Sequence, residues 1–140
     1  MVNSRTKGHN FERHVVNLIN KYLESQNLDQ RVNRNLDQQM YAGQADIYWN
    51  NFAIECKRYK SSTSIMFKQD WWDQVCVSAG DDLLPILIYK YDRRPIYLAM
   101  PIYLMSGRQK ANNDAIYMCS LKSMCKDFKT IMQNASVYNT

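Results

Sequence analysis

Asp46, Glu55 and Lys57 are three residues whose types and spacing could do chemistry together. They lie in Ala45-Asp46-Ile47-Tyr48-Trp49-Asn50-Asn51-Phe52-Ala53-Ile54-Glu55-Cys56-Lys57, where two β-rich runs flank a pair of asparagines. Asparagine tolerates the positive φ that a two-residue hairpin turn demands, so the pattern predicts a hairpin closed by Asn50 and Asn51. Pairing outward from that turn sets Trp49 against Phe52, Tyr48 against Ala53, Ile47 against Ile54 and Asp46 against Glu55. Period-two alternation then gives Ile47, Trp49, Phe52, Ile54 and Cys56 one apolar face, while Asp46, Glu55 and Lys57 share the other. Directly opposed residues have Cβ atoms about 5 Å apart, and opposed like charges destabilise a sheet. Two carboxylates held that way make sense around a divalent cation, and hard oxygen ligands suit Mg²⁺ or Mn²⁺. Taken alone, the hairpin also reads as a surface ribbon with ordinary charges on its wet face.

A third acid shifts that balance. From Asn10 to Ser25 the apolar residues Phe11, Val15, Val16, Leu18, Ile19, Tyr22 and Leu23 fall at the spacing of an amphipathic helix. At about 100° per residue Glu12 projects inside the apolar sector, whereas Arg13 and His14 fall outside it. A carboxylate on the core side of a helix is costly unless it is paired or bound to metal. The competing reading is a partly exposed acid in the first helical turn, where the macrodipole favours negative charge.

Gly8-His9-Asn10-Phe11-Glu12-Arg13 opening a helix, then Ala45-Asp46, then Glu55-Cys56-Lys57, resembles the PD-(D/E)XK nuclease superfamily. The likeness is closest to the archaeal-type Holliday junction resolvases, which begin with a similar basic, glycine-containing segment and a Glu-Arg pair on the first helix. It runs from about Ser4 to Met105. The chain departs from the superfamily pattern at Ala45, where the name has proline. It departs again in Tyr41-Ala42-Gly43-Gln44, which lacks the serine-rich form of the archaeal enzymes.

The resemblance implies that Asp46 and Glu55 ligate the metal with the Cys56 carbonyl as a further oxygen ligand, and that Glu12 completes the site or holds a second ion. It implies that Lys57 orients or activates the attacking water and stabilises charge on the phosphate. Metal ions serve such displacements by generating hydroxide and neutralising phosphoryl oxygens. Gln74, in Trp71-Trp72-Asp73-Gln74-Val75, matches a glutamine that the archaeal enzymes carry on a helix facing the site, with Gln69 competing for the alignment.

With 140 residues, 46% of them hydrophobic, the chain suits one domain over 1–140 with a single core, a composition that argues against wholesale disorder. A formal net charge of +5 favours a polyanionic partner. The cations cluster where DNA would lie: Arg5, Lys7 and Arg13 at the start, and Arg58, Lys60 and Lys68 around the hairpin acids. Such residues would give salt-dependent affinity for phosphates, although solvated loop charges are the alternative at Lys60 and Lys68. Arg31 or Arg34 could reach a phosphate, though solvated arginines are the simpler expectation. Four cysteines without Cys-x-x-Cys spacing and only two histidines make a zinc site improbable. No secretory signal is visible, and the longest apolar run, Leu83 to Tyr89, is too short to span a bilayer. We expect a cytoplasmic protein with no membrane partner and no small-molecule cofactor; a compact chain of this kind fits a bacteriophage source acting in the host cytoplasm.

The elements that must position these residues follow from patterning. A short strand is expected near Gln30-Arg31-Val32-Asn33. A helix over Phe67–Ala79 ends at Gly80, and its adjacent Trp71 and Trp72 cannot both face one core. Strands follow over Leu83–Lys90, central in the sheet, and over Pro95–Tyr103, joined by a turn at Asp92-Arg93-Arg94. Ala115–Cys119 is a short strand or turn. Ser120 caps a helix carrying Leu121, Met124, Cys125, Phe128 and Ile131. The sum is a single α/β domain with a mixed central β-sheet flanked by helices, the restriction-endonuclease-like core that the superfamily also requires.

The expected function is a metal-dependent, structure-selective DNA endonuclease hydrolysing phosphodiesters. It would be a Holliday junction resolvase cutting four-way junctions, with Mg²⁺ as cofactor and Mn²⁺ as substitute. Two cuts on opposing strands favour a homodimer, and the run Ile96-Tyr97-Leu98 with Ile102-Tyr103-Leu104-Met105 is a candidate dimer surface. The alternatives are a restriction- or repair-type endonuclease of the same superfamily, a catalytically inactive DNA-binding module, and an interaction protein whose charged face is incidental.

Overall fold

The asparagine pair closes a hairpin as its chemistry dictates. Asn50 takes up a φ of 51°, in the left-handed region that asparagine tolerates. The structure, a computed structural model, describes residues 4–28, 31–36, 43–107 and 115–137, with side chains from residue 7 onward. The hairpin consists of β1 (Ile47–Trp49) and β2 (Phe52–Tyr59), paired antiparallel with Ile47 on Ile54, Tyr48 on Ala53 and Trp49 on Phe52. This is the predicted register. The side-chain amide of Asn51 donates to the Ala135 carbonyl at 2.7 Å, which ties the turn to the last helix.

Before the hairpin comes α1 (Ser4–Ser25); after it come α2 (Gln69–Ala79), β3 (Leu84–Tyr91), β4 (Tyr97–Pro101), α3 (Tyr103–Ser106), β5 (Ile116–Ser120), α4 (Leu121–Lys126) and α5 (Phe128–Ser136). The five strands form one sheet in the order β1-β2-β3-β4-β5. β2 and β3 run parallel, with α2 as their crossover, and the other neighbours are antiparallel. β3 is the central strand, as its low charge predicts. The result is the expected mixed α/β sheet flanked by helices, consistent with a restriction-endonuclease-like core.

Each face of the sheet has its own core. On one, Phe11, Val15, Ile19 and Leu23 of α1 pack with Ile54, Cys56, Ile86, Ile88, Leu98 and the apolar stripe of α4 and α5. On the other, Trp71, Trp72 and Val75 of α2 cover Leu87, Tyr89, Tyr91 and Ala99. Burying side chains of this size contributes about 1.5–3 kcal/mol each, so the two layers fix where the strand ends point.

Several sequence expectations need correction. Trp71 and Trp72 are both buried against the same cluster: Trp71 lies among Tyr59, Tyr89 and Tyr91, while Trp72 meets Phe67. Indoles are wide enough that neighbours about 100° apart on a helix still reach one broad sheet face. The C-terminal pattern is two helices rather than one, broken at Asp127 (φ −100°, ψ 11°), with Ser120 capping the first through its hydroxyl, which accepts from the Ser123 N–H at 3.1 Å. The apolar stripe survives the break, which is why periodicity alone does not reveal it. The strand expected to reach Tyr103 stops at Pro101, and Tyr103 begins α3. Of the candidate dimer surface, Leu98 and Leu104 are fully buried, Ile102 is exposed and Ile96, Tyr97, Tyr103 and Met105 are half-buried, so the run is not a continuous exposed face.

The strand expected near residue 32 reduces to a single antiparallel bridge between Arg34 and Ile47, reinforced by Asn35 N–H donating to the Asp46 carbonyl at 2.7 Å. Gln30, Tyr41 and Ala42 lie outside the described residues.

Candidate active site

Extending the hairpin register by one pair from Ile47–Ile54 brings Asp46, just before β1, opposite Glu55 of β2. Glu12 approaches from α1. These three acids are the only buried charged residues among the described ones, with 6% of Glu12, 7% of Asp46 and 1% of Glu55 exposed. A buried charge is costly unless it is paired or bound, and each of the three has partners. The Cys56 backbone N–H donates to Asp46 Oδ2 at 2.8 Å. Two side chains one turn apart on α2 hold Glu55: Gln74 Nε2 lies 3.4 Å from Oε2, and the Ser78 hydroxyl donates to Oε1 at 3.2 Å. Arg34 grips Glu12 Oε2 with Nε and Nη2, both at 3.0 Å.

The electrostatics match the crowding. Burial and the charge of Glu55 push the Asp46 carboxyl up to about 7, against the Cys56 N–H and the nearby Lys57 ammonium, and Asp46 and Glu55 share a hydrogen bond. Burial also raises Glu55, opposed by Asp46, Lys57 and Ser78. Glu12 is raised by burial and then by the charge of Asp46, with Arg34 pulling the other way. The three carboxylates therefore feel one another, and Lys57 feels two of them. Burial and the same three acids hold the Cys56 thiol far above its usual range, so it is no nucleophile.

The donor set fits a hard divalent cation: buried carboxylate oxygens that repel one another and are eased by positive charge. The Cys56 carbonyl lies on the same edge of β2 as the N–H that Asp46 engages, because a strand residue's N–H and C=O point to the same side. Among the described residues, no three His, Cys, Asp or Glu side chains stand close enough together, as placed, to hold an ion. Asp46 and Glu55 adjoin, while Glu12 is turned to Arg34.

The remaining sequence candidates divide. Gln74 stands on Glu55, whereas its competitor Gln69 bonds Asp73 at 2.9 Å. Lys7 and Arg58 both pair with Asp92. Arg13 and Lys60 are exposed, Arg13 on α1 and Lys60 just past β2. Lys68 sits over the Tyr59 ring, 3.8 Å from its centroid. Arg5 lies in the first turn of α1, and its side chain falls outside the described residues. Arg34 is not solvated as the simpler expectation held; the bridge to Ile47 carries it along the β1 edge to Glu12. Sequence reasoning missed Ser78 altogether, although a serine four residues after Gln74 falls on the same helix stripe. Among the described residues, no buried side-chain nitrogen or oxygen lacks a partner, and no helix is long and apolar enough to cross a membrane.

Residues 3–138 match the family described as "Phage putative PDDEXK endonuclease". Comparison with curated proteins and with solved structures gave no match in either case.

Proposed function

The chain belongs to this phage PDDEXK endonuclease family, a branch of the PD-(D/E)XK superfamily, since the match covers nearly its whole length, and on that premise we propose that it is a Mg²⁺-dependent DNA endonuclease resolving four-way junctions. The observation that carries the reading is that Glu12, Asp46 and Glu55, distant in sequence, are the buried charges of the described fold and are electrostatically coupled. Mn²⁺ serves as substitute.

Asp46, Glu55 and the Cys56 carbonyl would hold the cation, with Glu12 joining them after release from Arg34. When bound, such an ion lowers the pKa of water and neutralises phosphoryl oxygens. The chain supplies the rest. The Cys56 N–H fixes one Asp46 oxygen, and Gln74 and Ser78 fix Glu55, so neither carboxylate must reorganise when substrate arrives. Lys57, two residues along the same strand face as Glu55, offers an ammonium to orient the attacking water and to meet charge developing on the phosphate. Arg34, freed from Glu12, becomes a cation beside the same phosphate.

Resolution requires paired cuts, which two copies related by a two-fold axis would deliver; we therefore propose a homodimer acting on junctions in the host cytoplasm. The test is cleavage of a synthetic four-way junction against linear duplex, flap and nicked DNA, with and without Mg²⁺. Preferential, symmetric junction cleavage is expected. Equal cutting of linear duplex would instead favour a restriction- or repair-type role. Undiminished cleavage by Asp46→Asn would sink the assignment of the site; that variant should lose at least about 100-fold in rate and keep its junction binding.

A further inference from the structure

Building on the endonuclease reading, we propose that Lys7, Arg58 and Lys90 form a subsite for a non-scissile phosphate of the DNA backbone, with Asp92 as the built-in counter-ion that this phosphate replaces. Arg58 and Lys90 are register partners on the parallel strands β2 and β3, so their side chains leave the same face of the sheet. That face is the one α1 covers, since Ile54, Cys56, Ile86 and Ile88, at alternate positions before them, pack with Phe11 and Val15. Lys7 of α1 reaches the same spot. Its Nζ lies 2.9 Å from one Asp92 oxygen, and Arg58 Nε lies 3.0 Å from the other.

Lys7 and Arg58 thus share one carboxylate, and Lys90, on the strand beside Arg58, feels the charges of all three. Lys90 is held below its ordinary range by burial and by the charges of Arg58 and Lys7, with Asp92 opposing them. Like charges on facing strand positions destabilise a sheet, so this cluster lowers stability in exchange for something else, and a polyanion is the partner that rewards it. Asp92 stands at the solvent-facing turn after β3 and is partly exposed. Ion pairs this exposed contribute little, so exchanging the carboxylate for a phosphate costs little. A recess lined by Lys7, Asn10, Phe11, His14 and Arg58 opens beside it and gives the backbone its approach. Lys7 precedes Glu12 by five residues, about 7.5 Å along the helix at 1.5 Å per residue. Phosphates on one strand rise about 3.4 Å apart, so a strand running along α1 would put the held phosphate about two nucleotides from the one being cut.

The test is the salt dependence of DNA binding by the full chain in EDTA, read by fluorescence anisotropy, on DNA carrying single methylphosphonates at each position around the cut. Neutralising a phosphate about two nucleotides away should weaken the wild type and leave the Lys7→Gln, Arg58→Gln double variant unaffected. Each of those single substitutions should reduce the slope of log K against log salt by about 1, and Asp92→Asn should steepen it by about 1 and tighten binding. The methylphosphonate arm needs no protein change, so it stands even if a variant folds poorly. The subsite is overturned if Asp92→Asn leaves affinity and slope unchanged or weakens binding, or if every methylphosphonate that weakens the wild type weakens the double variant equally. Inorganic phosphate that protects Lys7 from modification while DNA does not would likewise overturn it in favour of free phosphate. Wild type that binds but does not cleave with Mg²⁺ sinks the endonuclease reading alone; wild type that cleaves with unaltered slopes sinks the subsite alone; no DNA binding sinks both.

Discussion

The guanidinium of Arg34 stands 3.0 Å from the carboxylate of Glu12, and so a segment bridged to the hairpin edge holds the acid that α1 delivers. Both side chains are largely buried, which sets this pair apart from the half-exposed Lys7–Asp92–Arg58 cluster. Removing one partner of a buried pair leaves an uncompensated charge, at a cost of about 3–5 kcal/mol. Arg34→Met should therefore destabilise the protein by about 3 kcal/mol at pH 8, scaled down because neither side chain is fully buried. Glu12 is already raised from the ordinary carboxyl range, so acid neutralises it readily and the loss should shrink as pH falls toward 5. Urea denaturation at both pH values measures it, and a loss independent of pH would break the link to Glu12.

Asp46 gives the whole protein a pH signature. Its carboxyl moves from an ordinary 3.8 to about 7 on folding, so the native state binds the proton more tightly than the unfolded chain. Stability is then greatest below the unfolded value and is lost as pH rises from about 4 through about 7. Metal-free protein should be a few kcal/mol more stable at pH 5 than at pH 8, and Asp46→Asn should flatten most of that difference while raising stability at pH 8. Mg²⁺, as a ligand of the native state, should restore stability at pH 8. Thermal unfolding with EDTA and with Mg²⁺ at the two pH values reads all three effects; a stability that climbs steadily to pH 8 without metal would contradict them.

Ser78 and Gln74 act on Glu55 from one stripe of α2. Groups that fix a metal-binding carboxylate are worth about 10–100-fold in affinity or activity. Ser78→Ala should raise the Mg²⁺ concentration needed for half-maximal cleavage about tenfold, with the rate at saturating Mg²⁺ nearly kept. Gln74→Ala should do less, since its contact is the longer one at 3.4 Å. A drop in saturated rate with no change in Mg²⁺ requirement would assign Ser78 a different role.

Asn50 sets the hairpin turn at a φ of 51°. A β-branched side chain in that left-handed conformation costs about 1–2 kcal/mol, so Asn50→Val should destabilise by that amount and Asn50→Gly hardly at all. Chemical denaturation distinguishes the two, and equal stability of both variants would show that the turn does not constrain the fold.

The parts of this molecule that were legible in its sequence are those written locally. The hairpin register follows from two asparagines and strict alternation, and Glu12 stands out because it interrupts an apolar stripe. The grip of Arg34 on Glu12 spans a polar segment that pairs through a single bridge, so neither periodicity nor propensity marks it. Asp92 gathers Lys7 and Arg58 from positions 85 and 34 residues away, contacts that exist only once β2 and β3 are parallel. The kink at Asp127 hides because both helical pieces keep the same stripe, and Trp71 and Trp72 mislead because ring size outweighs direction.

One bond made by the hairpin turn reaches across to α5: the amide of Asn51 is anchored on the Ala135 carbonyl. A growing polypeptide leaves the ribosome from its amino end, so Asp46 and Glu55 emerge some eighty residues before the acceptor that steadies their turn. The turn gains this particular bond only after Ala135 has been made. The Cys56, Gln74 and Ser78 groups that hold those carboxylates are made long before it, and so is Leu84, whose N–H donates to the Asn51 carbonyl at 2.8 Å; a nascent chain could therefore settle its acids first and add the Ala135 tether last.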